Sequence, residues 1–140
     1  MTTAERAASV VMGHIPTTDA AALREYMAAG YGGFILMGAH IPVTQEQLRA
    51  VTAALVTDTT LPPLIAIDQE GGVVSRLPWD DFASPRQLQA LPVADTRTAF
   101  DRRAALVADI GANVNFGIVA DVPADPASFI SSRALGTDPE

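Results

Sequence analysis

The feature that most limits what this chain can fold into is an alternation that recurs along its length. Short, nearly continuous apolar bursts are each followed by a segment with helical periodicity. The bursts are "SVVM" (Ser9 to Met12), "GGFILMG" (Gly32 to Gly38), "LIAI" (Leu64 to Ile67) and "NVNFGIVADV" (Asn113 to Val122). Runs this short and this apolar predict strands buried on both faces, not helices. Thr18 or Asp19 is placed to cap a helix running to about Ala29, with Leu23 and Met27 on one face and Gly30 as its stop. Thr44 and Gln47 stand at capping-box spacing ahead of Leu48, Val51 and Leu55, and Pro62-Pro63 ends that segment. A polar, proline-containing connection from Leu77 to about Asp95 leads to a third helix, from near Thr98 to Ile110, expected to bury Phe100, Ala104 and Val107. The residues after Val122 read as loop.

A β-α-β-α-β-α-β order predicts a parallel sheet with right-handed crossovers. A doubly wound nucleotide-binding sheet and a (β/α)8 barrel both share that order. The turn after the first burst, "MGHIPTT", is neither G-x-G-x-x-G nor a P-loop. The expected fold is α/β, a doubly wound open sheet or part of a (β/α)8 barrel, with about four strands and their crossover helices. A complete barrel takes about 250 residues. This chain has 140 and would be about half of one.

Charge narrows the partners. Nine Lys and Arg residues, all of them Arg, face sixteen acids, giving a net charge of -7. Phosphate backbones are bound by cations, so nucleic acid is not an expected partner. Absence of cysteine removes disulfides, thiolate metal sites and a cysteine nucleophile. No apolar run approaches the ~20 residues of a membrane span. The N-terminal "MTTAERAASVV" lacks a basic region followed by a long apolar stretch, so no signal peptide is visible and a cytoplasmic location is the expectation.

Polar residues gather just after the bursts: His14, then Gly38 and His40, then Asp68 and Glu70, with Asp121 inside the fourth. In parallel α/β folds the carboxyl ends of strands carry the sites, because the βα loops converge there. Asp68 directly follows "LIAI" and would stand at the rim of a barrel mouth, accepting hydrogen bonds from ligand hydroxyls or capping the turn behind it. Gly71-Gly72 after Glu70 allows the chain to turn through positive φ. Arg76 and Arg133 could each donate a fork of N–H groups to hydroxyls or a carboxylate. His14 and His40 lack a spaced third ligand and read as polar turn residues, and nothing fixes Asp68, Glu70 and Asp121 as a magnesium cluster. No metal and no cofactor is expected.

At "IAIDQEGGVVSRL", Ile65 to Leu77, the chain resembles the N-terminal barrel domain of glycoside hydrolase family 3, especially its β-N-acetylhexosaminidase, NagZ-like branch, whose pattern is close to D-x-E-G-G-R-V-x-R. "GGFILMG" resembles that family's second-strand segment, and "GANVNFGIVADVPADP...ISSRALGTDPE" its fourth strand and a loop with a Ser-Arg-x-x-Gly core. The resemblance spans essentially the whole chain and implies an α/β fold, the N-terminal half of a (β/α)8 TIM barrel, in which residues 1–140 are the N-terminal part of the domain and the catalytic half is absent. It implies that Asp68 accepts hydrogen bonds from sugar hydroxyls in the -1 subsite, and that Arg76 and Arg133 contact the substrate or brace its pocket. Val73 stands where the family has Arg, which removes a cation beside the turn and is expected to weaken the bracing of Glu70.

The resemblance also implies retaining hydrolysis of terminal β-linked N-acetylglucosamine, as in cell-wall muropeptide recycling, through a covalent glycosyl-enzyme. The family's nucleophile is an Asp late in the barrel, and its acid/base is a His–Asp dyad after a K-H-F-P-G-H-G segment. No such segment occurs here and the chain has no lysine, so the catalytic groups are expected downstream of Glu140. Asp68 and Glu70 cannot replace them, because carboxyls two residues apart in one turn are poorly placed to flank a sugar. The expectation is a chain that carries part of the sugar pocket, is inactive alone, and self-associates through its open strand edges. Another family 3 specificity, such as β-glucosidase, and a non-catalytic sugar-binding or assembly fragment are the alternatives.

Overall fold

The computed structural model describes residues 1–136 and 138, apart from the side chain of His40. Residues 137, 139 and 140, the tail of the "SSRALGTDPE" stretch, lie outside the described residues, as does the His40 side chain considered above as a ligand. In chain order the elements are α1 (Thr3–Ala8), β1 (Met12–Gly13), α2 (Ala20–Ala28), β2 (Gly33–Leu36), α3 (Gln45–Leu55), β3 (Leu64–Ile67), α4 (Pro85–Leu88), α5 (Val93–Asp109) and β4 (Val114–Asn115), with a 3-10 turn at Gly38–His40. The sheet order is β1-β2-β3-β4, and β2 pairs in parallel with both β1 and β3. The alternating α/β order and the parallel sheet are those read from the sequence. The chain divides into two compact units, Met1–Ile67 with Val107–Val114, and Asp68–Leu106 with Asn115–Glu140.

In the first unit the buried strands do what continuous apolar runs demand. Phe34, Leu36, Ile65 and Ile67 are at most 1% exposed, as are Leu23 of α2 and Leu48 and Leu55 of α3. Each side chain of this kind contributes about 1.5–3 kcal/mol on burial. Asp19 caps α2 by accepting from the Ala22 N–H at 2.8 Å, and Thr44 caps α3 by accepting from Gln47 N–H at 3.2 Å. β2 and β3 run in register from Gly33 beside Leu64 to Leu36 beside Ile67. Gly33 is needed there, since a Cβ would lie 2.7 Å from the Leu64 carbonyl oxygen.

Two strand boundaries differ from the sequence expectation. The first strand is Met12–Gly13 instead of Ser9 to Met12, because a Thr2–Glu5 capping box starts α1 and Ser9 serves as its C-cap. Val10 and Val11 are left exposed. β4 covers only Val114–Asn115 of the expected Asn113 to Val122. Its neighbour Asn113 pairs with β3 partly through its side chain: its N–H donates to Ile65 O at 2.9 Å, and its Oδ1 accepts from Ile65 N–H at 2.8 Å.

The second unit holds the long connection. That stretch contains an unexpected helix, α4, opened by a reciprocal Ser84–Gln87 capping box with Pro85 in its first turn. α5 begins at Val93, ahead of the expected Thr98. Its buried face also differs: Ala99 and Arg103 are buried, while Ala104 is exposed and Phe100 half-buried. The Arg103 guanidinium has a buried carboxylate to meet, which an apolar-face count does not register. Residues 116–122 do not continue as strand, and Phe116 and Ile118 are exposed.

Candidate functional site

The candidate site residues belong to the second unit and centre on the loop that starts at Asp68. Asp68 follows β3 directly, and its Oδ2 accepts from Nη2 of Arg76 at 3.3 Å. Both side chains keep solvent access, 27% for Asp68 and 34% for Arg76. Arg133 grips Glu70 in a two-point pair, Nε to Oε2 at 2.9 Å and Nη2 to Oε1 at 2.5 Å. Here the carboxylate is almost fully buried at 3% exposure and the guanidinium is partly open at 27%. The two acids are thus divided between the two arginines, and all three predicted sugar-contact residues fall on this arrangement.

Gln69, between the two acids, sets the geometry. Its side-chain oxygen accepts from the backbone N–H groups of Arg76 and Leu77 at 2.7 and 2.9 Å. Its Nε2 donates to Ser75 Oγ at 2.8 Å and to Asp80 Oδ2 at 2.5 Å. One buried amide therefore fixes the return of the loop, and with it the placement of Arg76 opposite Asp68. On its outer edge the Gln69 backbone is tied to Asn115, whose side chain accepts from Gln69 N–H at 2.9 Å and donates to Gln69 O at 3.0 Å.

Below the loop, Arg103 and Asp80 form a fully buried ion pair, and Arg103 Nη2 also donates to the Ala83 carbonyl at 3.2 Å. Gly71, with φ +83°, packs on this arginine so closely that a Cβ would sit 2.2 Å from Nη2. A left-handed turn and a close approach coincide there, and only glycine meets both. Gln69, Asp80 and Arg103 were not among the residues singled out from sequence. The one available signal was an arginine three residues past Phe100 and four before Val107, on what is otherwise an apolar helix face.

The electrostatics follow the pairing. Arg133 is held above its ordinary pKa chiefly by the hydrogen bond to Glu70, opposed by desolvation, with each of the charges of Glu70, Asp121 and Asp68 adding less. Asp121 therefore acts on Arg133 through its field, from an exposed position. Val73 is 72% exposed, and Glu70 takes its cation from Arg133. His14 is exposed after β1. Among the described residues no three His, Cys, Asp or Glu side chains gather into a group that could hold a metal, and no helix is long and apolar enough to cross a membrane.

A parallel sheet with strands in sequence order and a polar loop springing from the carboxyl end of β3 defines a segment of an α/β barrel. No protein-family model matches the chain. It is 32% identical over 117 residues to a β-hexosaminidase of Bordetella pertussis, covering 76% of this chain and 33% of the relative. The chain thus spans about a third of the length of the curated relatives it matches. Among solved structures it resembles a glycoside hydrolase family 3 β-N-acetylglucosaminidase from Paenibacillus sp., with TM-score 0.80 and 23% identity over 93% of this chain and 26% of that one. It also resembles NagZ from Neisseria gonorrhoeae, with TM-score 0.77 and 22% identity over 92% of this chain and 41% of that one. A family 3 member from Mycobacterium smegmatis gives TM-score 0.71 and 27% identity over 99% and 43%. The chain is thus similar in sequence to about a third of the length of curated β-hexosaminidases, and it shares its fold with part of solved glycoside hydrolase family 3 structures.

Proposed function

We propose that this chain supplies part of the -1 sugar pocket of a retaining glycoside hydrolase that removes terminal β-linked N-acetylglucosamine, in cell-wall recycling in the cytoplasm. The observation that carries this reading is Asp68, a partly exposed carboxylate at the end of β3 set against Arg76. Asp68 accepts hydrogen bonds from two sugar hydroxyls, while Arg76 and Arg133 donate to the sugar's oxygens. The names of the relatives, β-hexosaminidase and β-N-acetylglucosaminidase, support the choice of sugar.

By the resemblance, the groups that break the bond come from the later half of a family 3 barrel and are not among these residues. An Asp nucleophile there attacks the anomeric carbon, and a His–Asp pair protonates the leaving oxygen and then activates water. Asp68 and Glu70 are each turned to their own arginine, which is how gripped carboxylates stand, not an acid and a nucleophile on opposite sides of one bond. The test is hydrolysis of a chromogenic β-N-acetylglucosaminide. The 140-residue chain gives no turnover, and the longer protein with the remaining barrel half does. In that protein Asp68→Ala raises KM at least about tenfold, the value of a lost charge-assisted hydrogen bond. Turnover by the chain alone, or an unchanged KM, overturns the reading.

A further inference from the structure

We propose that Glu70 is a positioning residue for sugar binding: its two-point hold on Arg133 aims that guanidinium's third nitrogen, Nη1, at the ligand. The inference rests on the sugar-site reading of Asp68 and extends it to a residue that touches no sugar. A guanidinium is planar, with its donors in a fixed fork. When Glu70 takes Nε at 2.9 Å and Nη2 at 2.5 Å, Nη1 is directed away from the carboxylate. The acid is 3% exposed and the arginine 27%, so the hold comes from the more buried side of the pair and the remaining donor is left free of that carboxylate.

Three carboxylates act on Arg133, those of Glu70, Asp121 and Asp68. Without the grip of Glu70 the guanidinium would be free to turn onto Asp68, whose 27% exposure leaves it open as a competing acceptor. Asp68 would then lose the lone pairs that the sugar hydroxyls need. Glu70 therefore does two things for the pocket. It fixes the direction of Arg133, and it keeps Asp68 available. Its own backbone is fixed by the turn, with Glu70 N–H and Gly71 N–H both donating to the Val74 carbonyl at 3.1 and 3.0 Å.

The test uses the 15N-labelled chain titrated with N-acetylglucosamine, with Glu70→Gln, Arg133→Lys, Arg133→Gln, the double Glu70→Gln/Arg133→Gln, and Asp68→Ala as variants. Glu70→Gln keeps the side-chain shape, and Arg133→Lys keeps the cation but not the fork. Both are expected to weaken sugar binding about tenfold, and the Arg133 Nε–H signal of Glu70→Gln is expected to broaden. The double variant should bind no more weakly than Arg133→Gln alone, because Glu70 acts through Arg133. Wild-type affinity in Glu70→Gln or Arg133→Lys overturns the proposal, as does a double variant whose loss is the product of the singles. Loss of binding in Asp68→Ala but not in Glu70→Gln would leave the sugar site standing and remove only the positioning role. No sugar response in wild type would overturn both, while the Arg133 Nε–H signal would still report whether the grip exists.

Discussion

Arg103 and Asp80 meet in an ion pair with neither side chain exposed to solvent, Nε to Oδ2 at 2.6 Å. The same Asp80 oxygen accepts from Gln69 at 2.5 Å, so the pair stands directly under the loop that presents Asp68 and Arg76. Breaking a buried pair from one side leaves the other charge stranded in a low dielectric. Asp80→Ala is therefore expected to cost about 3–5 kcal/mol in urea unfolding. A double replacement, Asp80→Leu with Arg103→Met, should recover much of that loss, because no charge is then left uncompensated. A cost below about 1 kcal/mol for Asp80→Ala would contradict the assignment.

Gly71→Ala should be severely destabilising for its size. The new methyl would have to adopt φ +83° and would lie 2.2 Å from Arg103 Nη2. Strain at positive φ alone costs about 1–2 kcal/mol, and displacing a buried guanidinium adds to it. Gly30→Ala is the control, at φ +89° with nothing within 4 Å of the added methyl. Thermal unfolding should show Gly71→Ala well below Gly30→Ala, and equal midpoints would refute the close approach.

Val73→Arg restores the residue that the family pattern carries at that position. The side chain there is 72% exposed and Glu70 is already held by Arg133. The change should leave stability within about 0.5 kcal/mol, the usual range for an exposed position. A stabilisation well beyond that would mean that Glu70 lacks a full partner without it.

Phe116, Ile118 and Phe129 are 55%, 63% and 81% exposed. Exposed apolar side chains favour association. Light scattering of the purified chain should show mass rising with concentration, and Phe116→Ser with Ile118→Ser should lower it. A monodisperse monomer across the range would contradict this.

Sequence and structure agree where a local signal decides. "LIAI" became β3 over the same four residues because prolines precede it and a carboxylate follows. Asp19 and Thr44 cap their helices because each side chain has a helix N–H within reach. The Ser84–Gln87 box was equally local, but the surrounding polar, proline-containing stretch hid it. Asp68, Arg76 and Arg133 were legible through a motif, whereas their pairing was not. Arg133 lies 63 residues from Glu70, and only the folded chain decides which acid it meets. Arg103 was illegible for a related reason, since a buried arginine depends on a partner, Asp80, brought from 23 residues away.

The most direct measurement is a titration of the 15N-labelled wild-type and Asp68→Ala chains with N-acetylglucosamine, followed by amide shifts. Wild type should show saturable shifts at Asp68, Arg76 and Arg133, and Asp68→Ala should lose them while keeping its dispersed spectrum. Equal shifts in the two proteins, or shifts elsewhere than this loop, would contradict a sugar site built on Asp68.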